Sequence, residues 1–110
     1  IQESVPGKQI TMAHIISSPD PVIYKKLGLD PRIDYKKAAI GVLTQTPSET
    51  AIITADLALK ASAIEIGFID RFSGTLIITG TISDVVIAFE RILEYTEREL
   101  GFTVCPITKA

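Results

Sequence analysis

The chain has no tryptophan, one cysteine, one histidine and one methionine. A single cysteine excludes an internal disulfide. One histidine beside one cysteine excludes a zinc site built from several such ligands of one chain. Charge of one sign is scarce too. Eleven Lys and Arg stand against thirteen Asp and Glu, a net charge of −2, whereas a dedicated nucleic-acid binder carries a basic surplus. No apolar run approaches the roughly 18 residues that a membrane span needs. Neither nucleic acid nor membrane is therefore an expected partner. No signal peptide is visible, and because the sequence opens on Ile1 rather than methionine, residues ahead of it are expected.

What is present describes one folded domain. The 110 residues are 46% hydrophobic and 22% charged, a balance that argues against disorder. Isoleucine occurs 18 times, and branching at Cβ suits a pleated strand. Alanine gathers between Ala51 and Ala63, where small side chains let a helix lie close against its neighbour. Such a compact, β-branched chain with little net charge fits a protein that buries further surface by association.

Along the chain, Ile1 to Val5 alternates apolar with polar, and Pro6-Gly7 marks a turn. Lys8 to Ile16 reads as a strand with Ile10, Met12, His14 and Ile16 on one side. Val22 to Leu27 reads as a short helix ended by Gly28, and Asp30 to Lys37 as a polar surface loop. Ala38 to Thr44 suits a strand buried on both faces. Thr46-Pro47-Ser48-Glu49 has the form of a capping box with proline at the first helical position. The helix it opens runs to about Ala61, with Ile52, Ala55 and Leu59 expected on its inner stripe. Ile64 to Asp70 and Thr75 to Thr79 read as antiparallel strands around a turn at Ser73-Gly74, with Gly67 marking a bulge or a close approach. Ser83 is the expected cap of a second long helix, whose inner stripe is Val85, Phe89, Ile92 and Thr96. Phe102 to Ile107 reads as a last strand.

From Ala38 onward the order is β-α-β-β-α-β, a ferredoxin-like arrangement of the α/β (α+β) class. An extra β-β-α segment precedes it. Two segments thus compete for the fourth core strand, Lys8 to Ile16 and Phe102 to Ile107. A plain ferredoxin-like count takes the second, and periodicity does not choose.

Catalytic chemistry is thin. His14 lies within a strand with no adjacent partner for general-base work, so a packed, hydrogen-bonded histidine is expected. Cys105, in an apolar stretch beside Pro106, lacks an activating neighbour. The glycines are too scattered for a phosphate-binding fingerprint. No acidic group has calcium-loop spacing. Asp70, Arg71 and Ser73 form the one polar cluster at a strand end, and an ion pair within or between subunits is the plainer explanation for it. Lys60 ends the alanine-rich helix, where a cation is favourable. No catalytic residue, metal site or cofactor is expected.

Four segments, in order, resemble one family: the circularly permuted shell proteins (BMC-domain proteins) of bacterial microcompartments for ethanolamine, propanediol and choline utilisation. They are Val5-Pro6-Gly7-Lys8-Gln9-Ile10-Thr11-Met12-Ala13-His14-Ile15-Ile16, Asp56-Leu57-Ala58-Leu59-Lys60-Ala61, Gly67-Phe68-Ile69-Asp70-Arg71-Phe72-Ser73-Gly74 and Cys105-Pro106-Ile107-Thr108-Lys109. The likeness covers nearly the whole chain. It implies that Lys8 to Ile16 is the fourth core strand, moved to the front by permutation, and that Phe102 to Ile107 is an added tail.

The resemblance further implies a structural role without catalysis. Homohexamers would tile with other shell proteins into a cytoplasmic shell that encloses enzymes and retains an aldehyde intermediate. Lys60 would lie at the hexamer edge, beside its two-fold mate. Ile1, Gln2, Glu3, Ser4 and Val5 would supply one strand of a six-stranded parallel β-barrel that plugs or narrows the central pore. The chain would then divide into a barrel strand and turn, 1–7, and a shell domain, 8–110. In place of the proline- and arginine-containing edge segment of ordinary members stands Ser17-Ser18-Pro19-Asp20, so edge contacts would differ. The rival reading is an oligomeric ferredoxin-like sensor of a small molecule, with Asp70, Arg71 and Ser73 as its polar cluster. An enzyme using His14 ranks third.

Overall fold

A computed structural model describes residues 7–28 and 38–110. In chain order the elements are β1 (Gln9–Ser17), α1 (Pro21–Lys26), β2 (Ala38–Thr46), α2 (Thr50–Ala61), β3 (Glu65–Asp70), β4 (Thr75–Thr81), α3 (Ile82–Arg98) and β5 (Thr108–Lys109). The strands make one sheet in the order β3-β4-β2-β1-β5. All neighbours are antiparallel except β1 and β5, which run parallel. The expected strand and loop at Ile1 to Val5 and Asp30 to Lys37 lie outside the described residues.

The competition for the fourth core strand has a clear outcome. β1 pairs with β2 along its length, from Gln9 opposite Thr46 to Ser17 opposite Ala39. The antiparallel core therefore takes its fourth strand from the front of the sequence. The expected strand over Phe102 to Ile107 does not form. That segment instead runs beside β1, touching it at Thr103 and again at Thr108–Lys109. Pro106 has no N–H to give a ladder, and Phe102, Val104, Cys105 and Ile107 pack against the core.

Helices α2 and α3 cover one face of the sheet. Ala39 and Leu43 of β2, Leu76 and Ile78 of β4, and Ala13 and Ile15 of β1 point into that layer. Ile10 joins them although it lies three residues from Ala13, which strict alternation forbids. A bulge between Ile10 and Met12 supplies the extra residue. Gly67 marks a second bulge, between Ile66 and Phe68. On the opposite face Ile40 and Ile77 are buried, with Ile16 and Val42 beside them.

The expected stripe of α3 is correct. Val85, Ala88, Phe89, Ile92 and Thr96 are all buried. Gly41 of β2 is what lets this helix sit so low, because an added Cβ there would come within 2.7 Å of Phe89 Cζ and 2.8 Å of Val85 Cγ1. The cap, however, is Thr81 and not Ser83. Thr81 Oγ1 accepts from the Asp84 N–H at 3.1 Å and donates to Asp84 Oδ2 at 3.0 Å. Asp84 thus holds the capping hydroxyl in return, and the cap lies two residues nearer the strand than Ser83.

The start of α2 also differs from expectation. Thr46 closes β2, and the helix begins at Thr50 with Glu49 before it and no side-chain cap. Backbone bonds do the work instead: the N–H groups of Thr50, Ala51 and Ile52 donate to Pro47, Ser48 and Glu49. A tight turn that satisfies its own donors leaves a capping side chain nothing to bind.

Candidate functional site

His14 behaves as expected of a structural residue. Its Nδ1 lies 2.6 Å from Thr108 Oγ1, tying β1 to β5. Cys105 is a half-buried free thiol against the core. Among the described residues no group of three His, Cys, Asp or Glu side chains can hold a metal ion.

The polar cluster at the β3–β4 hairpin is a loop brace. Asp70 Oδ1 accepts the Phe72 N–H at 2.8 Å, and Asp70 Oδ2 accepts the Ser73 hydroxyl at 2.8 Å. These donors, the Phe72 amide first, hold the Asp70 carboxyl below its usual pKa. Arg71 does not join them. Its guanidinium sits 5.0 Å from the Phe72 ring centroid, and that ring is 80% exposed. The structure thus brings together Asp70 and Ser73, and presents Arg71 with Phe72 at the tip.

The same loop is locked from below by residues that sequence reading missed. Gln45 is buried and donates from Nε2 to Gly74 O at 2.7 Å, while its Oε1 accepts from Thr54 Oγ1 at 2.7 Å. One glutamine therefore joins β2, α2 and the hairpin. Gly74 has φ +79°, and a Cβ there would overlap the Gln45 carbonyl oxygen, so this position is closed to other residues twice over. The available signal was a polar Gln45 directly following a strand read as buried on both faces.

Lys60 sits near the end of α2, exposed, with its Nζ 2.8 Å from Asp56 Oδ2 one turn earlier. The Asp56 hydrogen bond, and then its charge, push the Lys60 pKa up. Lys60 also borders an open hollow of about 300 Å³ between α2 and α3, together with Leu57, Ala61, Ile87 and Arg91. The barrel candidates Ile1, Gln2, Glu3, Ser4 and Val5 lie outside the described residues.

Helix α2 departs most from its expected reading. Its inner stripe is Ala51, Thr54, Ala55 and Ala58. Ile52 and Leu59, expected inside with Ala55, are 54% and 53% exposed, and Ile53 is 45% exposed. The cause is spacing: small side chains let α2 lie close to the sheet and to α3, with Leu57 half-buried against the core at the margin and no room beneath the helix for Ile52, Ile53 or Leu59. Phe68 and Ile69 of β3 and Ile82 and Ile87 of α3 are exposed as well.

The comparisons with known proteins agree with this geometry. A family model described as the BMC domain matches residues 39–108. The chain is 51% identical over 110 residues to the bacterial microcompartment shell protein CutR of Streptococcus intermedius, covering 100% of this chain and 90% of the relative. It is 47% identical over 109 residues to the shell protein PduU of Salmonella typhimurium, covering 99% and 90%. Among solved structures it resembles a flat hexamer of CutR, with a TM-score of 0.87 and 50% identity, over 100% of this chain and 97% of the other. A screw form of CutR matches with a TM-score of 0.86 at 48% identity, over 96% of this chain and 100% of the other. These relatives are structural shell proteins and not enzymes, and they give the sensor reading no support. The chain is a BMC-domain protein, a member of the family of bacterial microcompartment shell proteins.

Proposed function

We propose that six copies of this chain close into a ring that tiles, with other shell proteins, into the wall of a cytoplasmic microcompartment around its enzymes. The observation that carries this reading is the inverted helix α2. Ile52, Ile53 and Leu59 point outward while alanines point inward. A heterologous contact repeated around a closed ring covers such a surface on every subunit. The likeness to the flat CutR hexamer supports the count of six.

Within the ring, the sheet order supports a circularly permuted shell domain over residues 8–110, since its fourth core strand precedes the other three. Lys60 meets its two-fold mate at the ring edge, and backbone carbonyls of the neighbour offset the like charges. Residues 1–7 form a separate strand and turn, and Ile1 to Val5 from six subunits make a parallel barrel at the axis. The hairpin tip, with Asp70 and Ser73 bonded to each other and Arg71 beside Phe72, lies near a subunit boundary. Light scattering tests the ring first. A mass of about 71 kDa, six times the 11.9 kDa chain, is the expected result, with rings in negative stain. A mass that stays at one or two chains at high concentration overturns it. Deleting Ile1 to Val5 should leave the ring intact. Lys60→Ala should leave rings that no longer form sheets.

A further inference from the structure

The strand β1 has an unusual composition for its position. From Gln9 to Ser17 it carries no Asp, Glu, Lys or Arg, no proline and no glycine. Proteins normally blunt a strand near a sheet edge with charge or proline. An uncharged, β-branched segment of this kind is the composition that pairs readily with copies of itself. Among the described residues, what lies against the outer side of β1 is the segment from Thr103 to Ala110. It is held at its two ends. Near its start, the Ile10 N–H donates to Thr103 O at 2.9 Å and the Thr103 N–H to Lys8 O at 3.0 Å. Near its finish, the Ala110 N–H donates to Ile15 O at 3.0 Å and the Ser17 N–H to Ala110 O at 3.1 Å. Side chains add to the second point: Ser17 Oγ donates to Ala110 O at 2.9 Å, and His14 faces Thr108. Between the two points Pro106 interrupts the pairing.

We propose that this segment is a guard strap, and that the edge it covers is a self-association site whose partner is β1 of a second copy. The strap belongs to the regular sheet for two residues only, β5. Its root is anchored by Phe102, which is 7% exposed, with Val104 and Cys105 against the core, while its far end is held by the strap bonds and by the half-buried Ile107, so that end can leave while the root stays. Once Ile107 to Ala110 leave, the amide of Ser17 and the carbonyl of Ile15 lose partners inside the chain. An identical edge, running antiparallel, offers the same donors and acceptors in return and brings no like charge with it. Gatekeeping that other proteins place on the strand itself is here placed on a separate segment. The inference stands apart from the ring, since it concerns a change in mass relative to the intact chain, whatever that mass is.

The test is a chain ended after Pro106, which keeps Phe102 and the Thr103 contacts. Its mass by light scattering over a concentration series is compared with that of the intact chain, alongside amide exchange at Ser17. The expected result is a mass at least about twofold higher as concentration rises, the step from one copy to two across an isologous edge. The Ser17 amide should be protected only in the associated form. A folded truncated chain whose mass matches the intact one at every concentration, with Ser17 exchanging freely, overturns the proposal. Ala110→Pro serves if truncation unfolds the domain. It removes one strap bond and touches no core residue. Exchange at Ser17 should then quicken roughly fivefold, the equivalent of one neutral hydrogen bond. Unchanged exchange at Ser17 in that variant overturns the proposal as well.

Discussion

Helices α2 and α3 lie side by side on the same sheet and use opposite packing rules. Helix α3 puts its large side chains inward and its charges outward. Glu94 sits within 3.8 Å of Arg98 and 3.9 Å of Arg91 on its outer surface. Its main apolar stripe is covered within the chain, and Ile82 and Ile87 lie outside that stripe, exposed. Helix α2 puts alanine and threonine inward, with Leu57 half-buried at the margin, and Ile52, Ile53 and Leu59 outward. Its surface is complete only with a neighbour. A helix with large residues outside and small residues inside is thus evidence of assembly that total hydrophobicity does not give.

The largest expected effect comes from breaking the self-sufficient helix. Phe89→Ala should lower stability by about 3–5 kcal/mol, as for other buried phenylalanines, because the ring is fully buried over Gly41. Thermal unfolding read by circular dichroism checks this. Next comes overfilling of the inner face of α2. Ala55 is 4% exposed, and Ala55→Leu should cost about 1–3 kcal/mol by forcing the helix off the sheet. The contrast is Ile52→Ser on the outer face. It should shift the stability of a single chain by only about 0.5 kcal/mol, yet lower the mass seen by light scattering. If Ile52→Ser destabilises as much as Ala55→Leu while the mass holds, the two faces of α2 have been assigned the wrong way round.

The difference between the helices also explains what could be read in the sequence. The stripe of α3 was legible because large apolar residues recur at Val85, Phe89 and Ile92 at helical spacing, while Glu90, Arg91, Glu94, Glu97 and Arg98 fall mostly on the other side. The stripe of α2 was not, since both of its faces are apolar and only side-chain size distinguishes them. The strand competition was undecidable from periodicity because Lys8 to Ile16 and Phe102 to Ile107 are both short and apolar. Pairing partners decide it, and pairing is a property of the whole sheet. The resemblance carried that choice, and the strand register agrees with it. The Asp70 cluster was legible as a group but not as a brace, since the Phe72 amide that holds it leaves no mark in the sequence. The Gln45–Thr54 bond joins residues nine apart across a turn, and no local pattern predicts it.

The two helix starts sharpen the comparison at lower energy. Thr81→Ala removes the reciprocal bonds with Asp84 and should cost about 1 kcal/mol. Glu49→Ala at the corresponding place in α2 should change stability by no more than about 0.5 kcal/mol, because no side-chain cap exists there. Urea unfolding of both variants with a common slope measures the difference. Equal losses would mean that the backbone turn over Pro47 to Glu49 does not relieve α2 of its need for a cap.

The smallest effect sits at the hairpin tip and depends on pH. Asp70 titrates below its ordinary value because the folded loop offers its carboxylate the Phe72 amide and the Ser73 hydroxyl. In the unfolded chain those donors are gone and the carboxyl takes up its proton at a higher pH. The unfolded state therefore binds more protons in the interval between the two values, and stability rises with pH across it. The contribution is complete above the ordinary aspartate value and is lost as pH falls through the depressed one. Asp70→Asn keeps an acceptor for the Phe72 amide but removes the titrating group. The variant should flatten the acid limb of a plot of unfolding midpoint against pH by lowering the plateau near neutrality slightly, where the charged Asp70 contributes in full, with little change at the acid end. An acid limb of the same slope in both proteins would mean that the Asp70 brace opens in solution and that Arg71 and Phe72 are not held at the tip.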